Sequence, residues 1–109
     1  MADGYYLPIQ IQANGDGEDY VGNALIDTGA THTLIPRSVV ERLKLPIIGA
    51  QTVQTAGGYG EMDVAFGILR VNGSEPIGAR LLVVPTQDLV AIGFDVVRRL
   101  GLLEPPRLN

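Results

Sequence analysis

The chain predicts a mostly-β fold, a barrel or sandwich. Three observations carry this. Short stretches of alternating apolar and polar residues recur along it. Each is bounded by Gly, Pro, Asn or Asp. Only two short stretches fit a helix. At 109 residues it forms one domain, 1–109, with a modest core and no long-range internal repeat.

Tyr5 to Gln12 alternates, with Tyr5, Leu7, Ile9 and Ile11 on one side, so it reads as a half-buried strand. Pro8 has no N–H for a ladder and places this strand at a sheet edge or a bulge. Asn14-Gly15-Asp16-Gly17 has the composition of a hairpin turn. The alternative, a calcium loop, lacks the acidic ladder and closing Glu of an EF-hand. Tyr20 to Ile26 is the return strand, and Thr33-Leu34-Ile35 a third, short one.

Pro36 then opens a helix, Pro36 to Leu43, with Val39, Val40 and Leu43 as its apolar face and Leu45-Pro46 as its stop. Ala50 to Thr55 and Glu61 to Val71 are paired strands, which makes Ala56 to Gly60 a hairpin tip. Asn72-Gly73 turns the chain into a strand over Ile77 to Val84, ended by Pro85. Leu89 to Ile92 is a short buried strand, and Asp95 to Leu100 a helix closed by Gly101. Glu104-Pro105-Pro106 suits neither helix interior nor central strand.

Bulk properties exclude several classes. The apolar content of 46% argues against disorder. A formal net charge of −4 and no basic run argue against nucleic acid or an anionic membrane as partner. No apolar stretch approaches the ~20 residues of a membrane helix. Without cysteine there is no disulfide or thiolate metal site, and one histidine with scattered carboxylates makes no metal site; no cofactor is expected. Met1-Ala2-Asp3-Gly4 does not open a signal peptide, and the compartment stays open. The chain could equally be an excised segment of a longer protein.

The other elements are organised around Leu25-Ile26-Asp27-Thr28-Gly29-Ala30-Thr31. An apolar strand delivers one carboxylate into a tight turn, and Gly29 lets the chain leave sharply. A carboxylate losing water there needs hydrogen bonds, from the Thr28 and Thr31 hydroxyls or from backbone N–H groups near Gly29 and Ala30. Taken alone, Asp27 reads equally as an Asp capping its own turn.

Its company decides between these readings. Leu25-Ile26-Asp27-Thr28-Gly29-Ala30 resembles the active-site signature of aspartic proteases. Two later pieces, Ala56-Gly57-Gly58-Tyr59-Gly60 and Val90-Ala91-Ile92-Gly93-Phe94-Asp95, resemble the same family in order and spacing. The likeness spans Tyr5 to Leu102 and is nearest to the retropepsin-like, single-domain group. It implies a retropepsin-like barrel with a flap hairpin and an aspartic endopeptidase acting on extended polypeptide.

Such chemistry needs two carboxylates around one water. One removes a proton from the water, and the other hydrogen-bonds the scissile carbonyl. The chain has one candidate, Asp27; Asp95 opens a helix, and Asp63 and Asp88 have no comparable surroundings. The economical solution is a homodimer that brings two copies of Asp27 together across a two-fold axis.

By resemblance, Thr28 locks the paired turns and Gly29 lets the backbone approach substrate. Gly57, Gly58 and Tyr59 form the flap. Ala30, Val90 and Ile92 line apolar subsites, and Gly93 and Asp95 hold the second helix near the turn. The chain departs from its retroviral relatives in three places. Thr31 and His32 stand where they carry acids, and Phe94 stands where they carry an arginine. The proline-rich tail implies a smaller terminal interface. His32 reads as a solvated loop residue or as a pH-sensitive subsite residue. An alternative function is a dimeric peptide-binding or scaffold module with little activity.

Overall fold

The computed structural model describes residues 5–14, 17–85 and 88–101. Seven strands and two short helices follow in the order β1 (Tyr5–Gln12), β2 (Asp19–Ile26), β3 (Leu34–Pro36), α1 (Arg37–Leu43), β4 (Ile47–Thr55), β5 (Gly58–Val71), β6 (Ile77–Val84), β7 (Ala91–Ile92) and α2 (Phe94–Leu100). The centre of the Asn14 to Gly17 turn and the Glu104-Pro105-Pro106 tail lie outside the described residues.

The strands run β1-β2-β7-β3-β6-β5-β4 in one sheet, and β1 also pairs with β5. Six strands therefore close into a barrel, while β4 hangs on β5 as the outer arm of a hairpin. Closure removes the exposed edges a short sheet would otherwise present. It depends on the length of β5: residues 58–65 pair with β4, residues 64–69 with β6, and residues 68–71 with β1. Two pairings are parallel, β2 with β7 and β3 with β6.

Pro8 shows how the closure accommodates an absent donor. Its carbonyl accepts the Asn72 N–H at 2.7 Å, on the β5 side, so its nitrogen faces that side as well. The β1–β5 ladder begins only at Ile9, one residue further on. The missing N–H thus falls outside the ladder.

The inward faces make one core of Ile9, Ile11, Ile26, Ile35, Leu69, Leu81 and their neighbours, all buried. Of the alternating face of β1, Ile9 and Ile11 are buried, Leu7 half-buried, and Tyr5 exposed at the strand start. Val39, Val40 and Leu43 are the buried face of α1.

Several boundaries shift by one or two residues from those read in the sequence, as at Asp19, Leu34, Ala91 and Phe94, and three starts have a specific physical reason. Pro36 ends β3 and precedes α1, with ψ at 142°, so the helix starts at Arg37. The helix ends when Lys44 enters the left-handed region; Leu45 N–H then donates to Val40 O, and buried Leu45 covers the end. β4 starts at Ile47 rather than Ala50, across an irregularity between Ile47 and Gly49 that interrupts the alternation. β5 starts at Gly58, because pairing with β4 continues through the glycines to Thr55 opposite Gly58.

Candidate active site

The end of β2 is held from the side by β7. Leu25 N–H donates to Val90 O at 3.0 Å and Asp27 N–H to Ile92 O at 2.9 Å. Asp27 is thereby fixed at the last rung, and the chain turns immediately. Ala30 N–H donates back to Asp27 O at 3.1 Å, and Gly29 N–H donates to Asp27 Oδ1 at 3.0 Å. The Thr28 and Thr31 hydroxyls do not reach the carboxylate among the described residues. Asp27 is half-buried, and Thr28 and Gly29 are exposed. A Cβ at Gly29 would lie 3.3 Å from Asp27 Oδ1, so a side chain there would crowd the carboxylate.

The turn rests on the start of α2. Phe94 N–H donates to Ala30 O at 2.7 Å and Asp95 N–H to Thr31 O at 3.3 Å. A Cβ at Gly93 would meet His32 O at 2.4 Å, a contact no side chain tolerates. Gly93 is therefore required by the closeness of two backbones.

Thr33 binds the two segments from inside. Its hydroxyl accepts the Gly93 N–H at 3.0 Å and donates to Asp95 Oδ1 at 2.9 Å. The same oxygen of Asp95 accepts Val96 N–H at 2.8 Å, at the start of α2. Thr33 is the buried polar residue of the described core, and nothing in the sequence distinguished it from a β-branched strand residue.

Over this turn stands the β4–β5 hairpin. Its tip is the two-residue turn Ala56-Gly57, followed by Gly58 at a φ of 122° and by Tyr59, which is 77% exposed. A Cβ added at Gly57, Gly58 or Gly60 would meet nothing within 4 Å, so the tip projects clear of the barrel. Between turn and hairpin lies a cleft of about 450 Å³, lined in part by Ala30, His32, Leu34, Val53, Met62 and Leu82. Its walls are largely apolar, suited to a peptide's apolar side chains.

Some expected site residues are placed elsewhere. Val90 and Ile92, read as subsite residues, are fully buried, because central strand β7 and the residue before it are covered by the core. They position Asp27 through their carbonyls and present no surface to a ligand. Leu34, Val53, Met62 and Leu82 take the lining role beside Ala30. His32 is not a solvated loop residue: it is half-buried, and its Nε2 lies 3.0 Å from Gln51 Nε2 on β4. Sequence alone could not pair residues brought together by the hairpin folding back.

A closed six-stranded barrel with an Asp-Thr-Gly turn beneath a glycine-tipped hairpin is the architecture of a retropepsin-like aspartic protease. The aspartyl protease family model matches residues 9–96, and the chain belongs to that family. No curated protein matches the sequence. Among solved structures, the simian foamy virus (mac) protease is similar over 92% of this chain and 99% of its own, with 25% identity and a TM-score of 0.64. The EIAV protease, solved with the inhibitor HBY-793, is similar over 98% of this chain and 93% of its own, with 22% identity and a TM-score of 0.71. Among the described residues no helix is long and apolar enough to cross a membrane.

Proposed function

We propose that the protein is an aspartic endopeptidase that hydrolyses peptide bonds in extended polypeptide, with the water held between Asp27 of two subunits. The observation behind this reading is an incomplete site. Asp27 sits at a turn beside a peptide-sized cleft, with one hydrogen bond to its carboxylate among the described residues. Among the described residues no second carboxylate joins it. Asp95 is engaged by Thr33 and its own helix, Asp63 pairs with Arg37 at 3.2 Å, and Asp88 is exposed away from the cleft lining.

A second copy supplies the missing group. One carboxylate, ionised, draws the proton from the water; the other, protonated, donates to the scissile carbonyl oxygen as charge develops on it. Two carboxylates in contact share a proton and titrate as a pair. Thr28 and Gly29, exposed next to Asp27, lie where the two turns meet. Gly57, Gly58 and Tyr59 close over the peptide, and their backbone groups pair with it as an added strand does.

Asp27→Asn tests the reading. It should abolish cleavage while leaving the thermal melt and the dimer in place; surviving cleavage would refute it. Thr31, His32 and Phe94, at positions where retroviral relatives carry charges, favour a second reading: a dimer that grips peptides without cutting them. A wild-type dimer that binds peptides across a pH series and releases no products would establish it.

A further inference from the structure

Beside the cleft is a second cavity of about 300 Å³, lined by the charged or polar residues His32, Gln51, Arg80, Asp95 and Arg99. His32 and Leu82 line both spaces, and the His32–Gln51 contact bridges the active-site loop and β4 between them. The cavity is thus a lateral extension of the cleft.

Its charge is opposite to that of the whole chain, which carries −4. Arg80 and Arg99 are both exposed, and neither has a carboxylate within ion-pair distance among the described residues. Arg80 makes no hydrogen bond there, and Arg99 donates only to Gly78 O, at 2.7 Å. By contrast, Arg37 and Arg42 are matched with Asp63 and Glu18. The one acid in the cavity, Asp95, is held by Thr33 and by the Val96 N–H rather than by an arginine. An apolar floor that includes Leu82 and Val96 keeps the site partly sheltered.

We infer that this cavity is a subsite for an acidic side chain of the substrate. The inference rests on the reading of the cleft as a peptide channel and specifies its sequence preference. An extended peptide in the cleft directs alternate side chains to opposite sides. One of them, on the His32 side, reaches past the His32–Gln51 bridge. A Glu carboxylate there meets two guanidinium groups whose planar forks suit it, and the Gln51 amide at the entrance adds a neutral donor. His32 and Gln51 exchange donor and acceptor roles by tautomer and amide orientation, so the bridge adapts without being broken.

The test is a set of peptides from one cleaved parent, carrying Glu, Gln or Lys in turn at each position within four residues of the scissile bond. At one position Glu should exceed Gln by about tenfold in kcat/KM, with Lys poorest. In the Arg80→Glu/Arg99→Glu protein that order should invert at the same position, with the fold checked by thermal melting. Should the double reversal fail to fold, Arg80→Gln alone should narrow the Glu-to-Gln ratio several-fold, since Arg80 has no partner to lose. Equal rates for Glu and Gln at every position, or a Glu preference untouched by the arginine changes, would overturn the subsite and leave the protease reading intact. If no peptide is cut, the same peptides are measured by fluorescence anisotropy. A tenfold Glu preference that needs the arginines then upholds the subsite and removes hydrolysis, and its absence removes the subsite.

Discussion

Thr33 donates its hydroxyl to Asp95 at 2.9 Å, joining residues 62 positions apart in sequence. Thr33 is fully buried, and the same oxygen accepts the Gly93 N–H. The Asp27 turn and the start of α2 are thereby one rigid unit, and Asp27 takes its position from both.

Thr33→Val keeps the shape and removes this junction. It leaves the Gly93 N–H without a partner in the interior and strips Asp95 of one donor. The expected loss is about 2–3 kcal/mol in the denaturant midpoint analysis, since a buried unsatisfied donor costs about 1–3 kcal/mol and bonds to charged groups are the stronger ones. A change below about 0.5 kcal/mol would mean that the junction contributes no stability.

Gly93→Ala places a methyl group 2.4 Å from His32 O, against backbone that cannot swing aside. Overpacking of this kind costs about 1–3 kcal/mol. Because the displaced segment continues directly from the Asp27 turn, kcat should fall by more than stability accounts for. Full activity at a temperature where the variant is folded would contradict this.

Two adjacent glycines at the hairpin tip should respond differently. Gly58 has a φ of 122°, whereas Gly57 lies outside the left-handed region, and both have open space around them. Gly57→Ala should be tolerated. Gly58→Ala should strain the tip by about 1–3 kcal/mol and raise KM, because the hairpin no longer closes in the same shape. Equal KM values for the two variants would show that the tip does not contact substrate.

Mixing subunits checks the two-chain site. With excess Asp27→Asn protein, most wild-type chains sit in mixed pairs that hold one ionisable carboxylate. Activity per wild-type chain should fall by about tenfold at a tenfold excess, given that each active site needs both copies. Activity that stays proportional to the wild-type chain alone would show a site complete within one subunit.

Phe94 is bonded through its N–H to Ala30 O of the Asp27 turn, and the residue is 38% exposed at the start of α2. If two turns meet, its ring lies at the edge of the contact. Phe94→Asp should raise the dimer dissociation constant at least about tenfold in sedimentation, since a charge would be buried without a partner. Moderate salt should change the wild-type value little, because an apolar edge is not screened. Strong weakening by salt would point instead to ion pairs at the contact.

Local chemistry made most of the fold legible. Ile9 and Ile11 on one face of β1, the Asn72-Gly73 turn with both φ values positive, and Gly101 at the end of α2 follow from side-chain alternation and backbone preference. Asp27-Thr28-Gly29 taken alone read as a self-capping turn, and its resemblance, together with the two later pieces, to the aspartic protease signature singled it out. What only the tertiary structure decided are contacts between segments distant in sequence. Ile92 in β7 and Val90 just before it became core because this segment is flanked by β2 and β3, a placement that no local pattern encodes. His32 met Gln51 because the hairpin folds over the loop, and Arg80 and Arg99 came to share one cavity because Arg99 on α2 reaches back to Gly78 O on β6. Periodicity specifies which face of a strand is buried; barrel closure decides what that face meets.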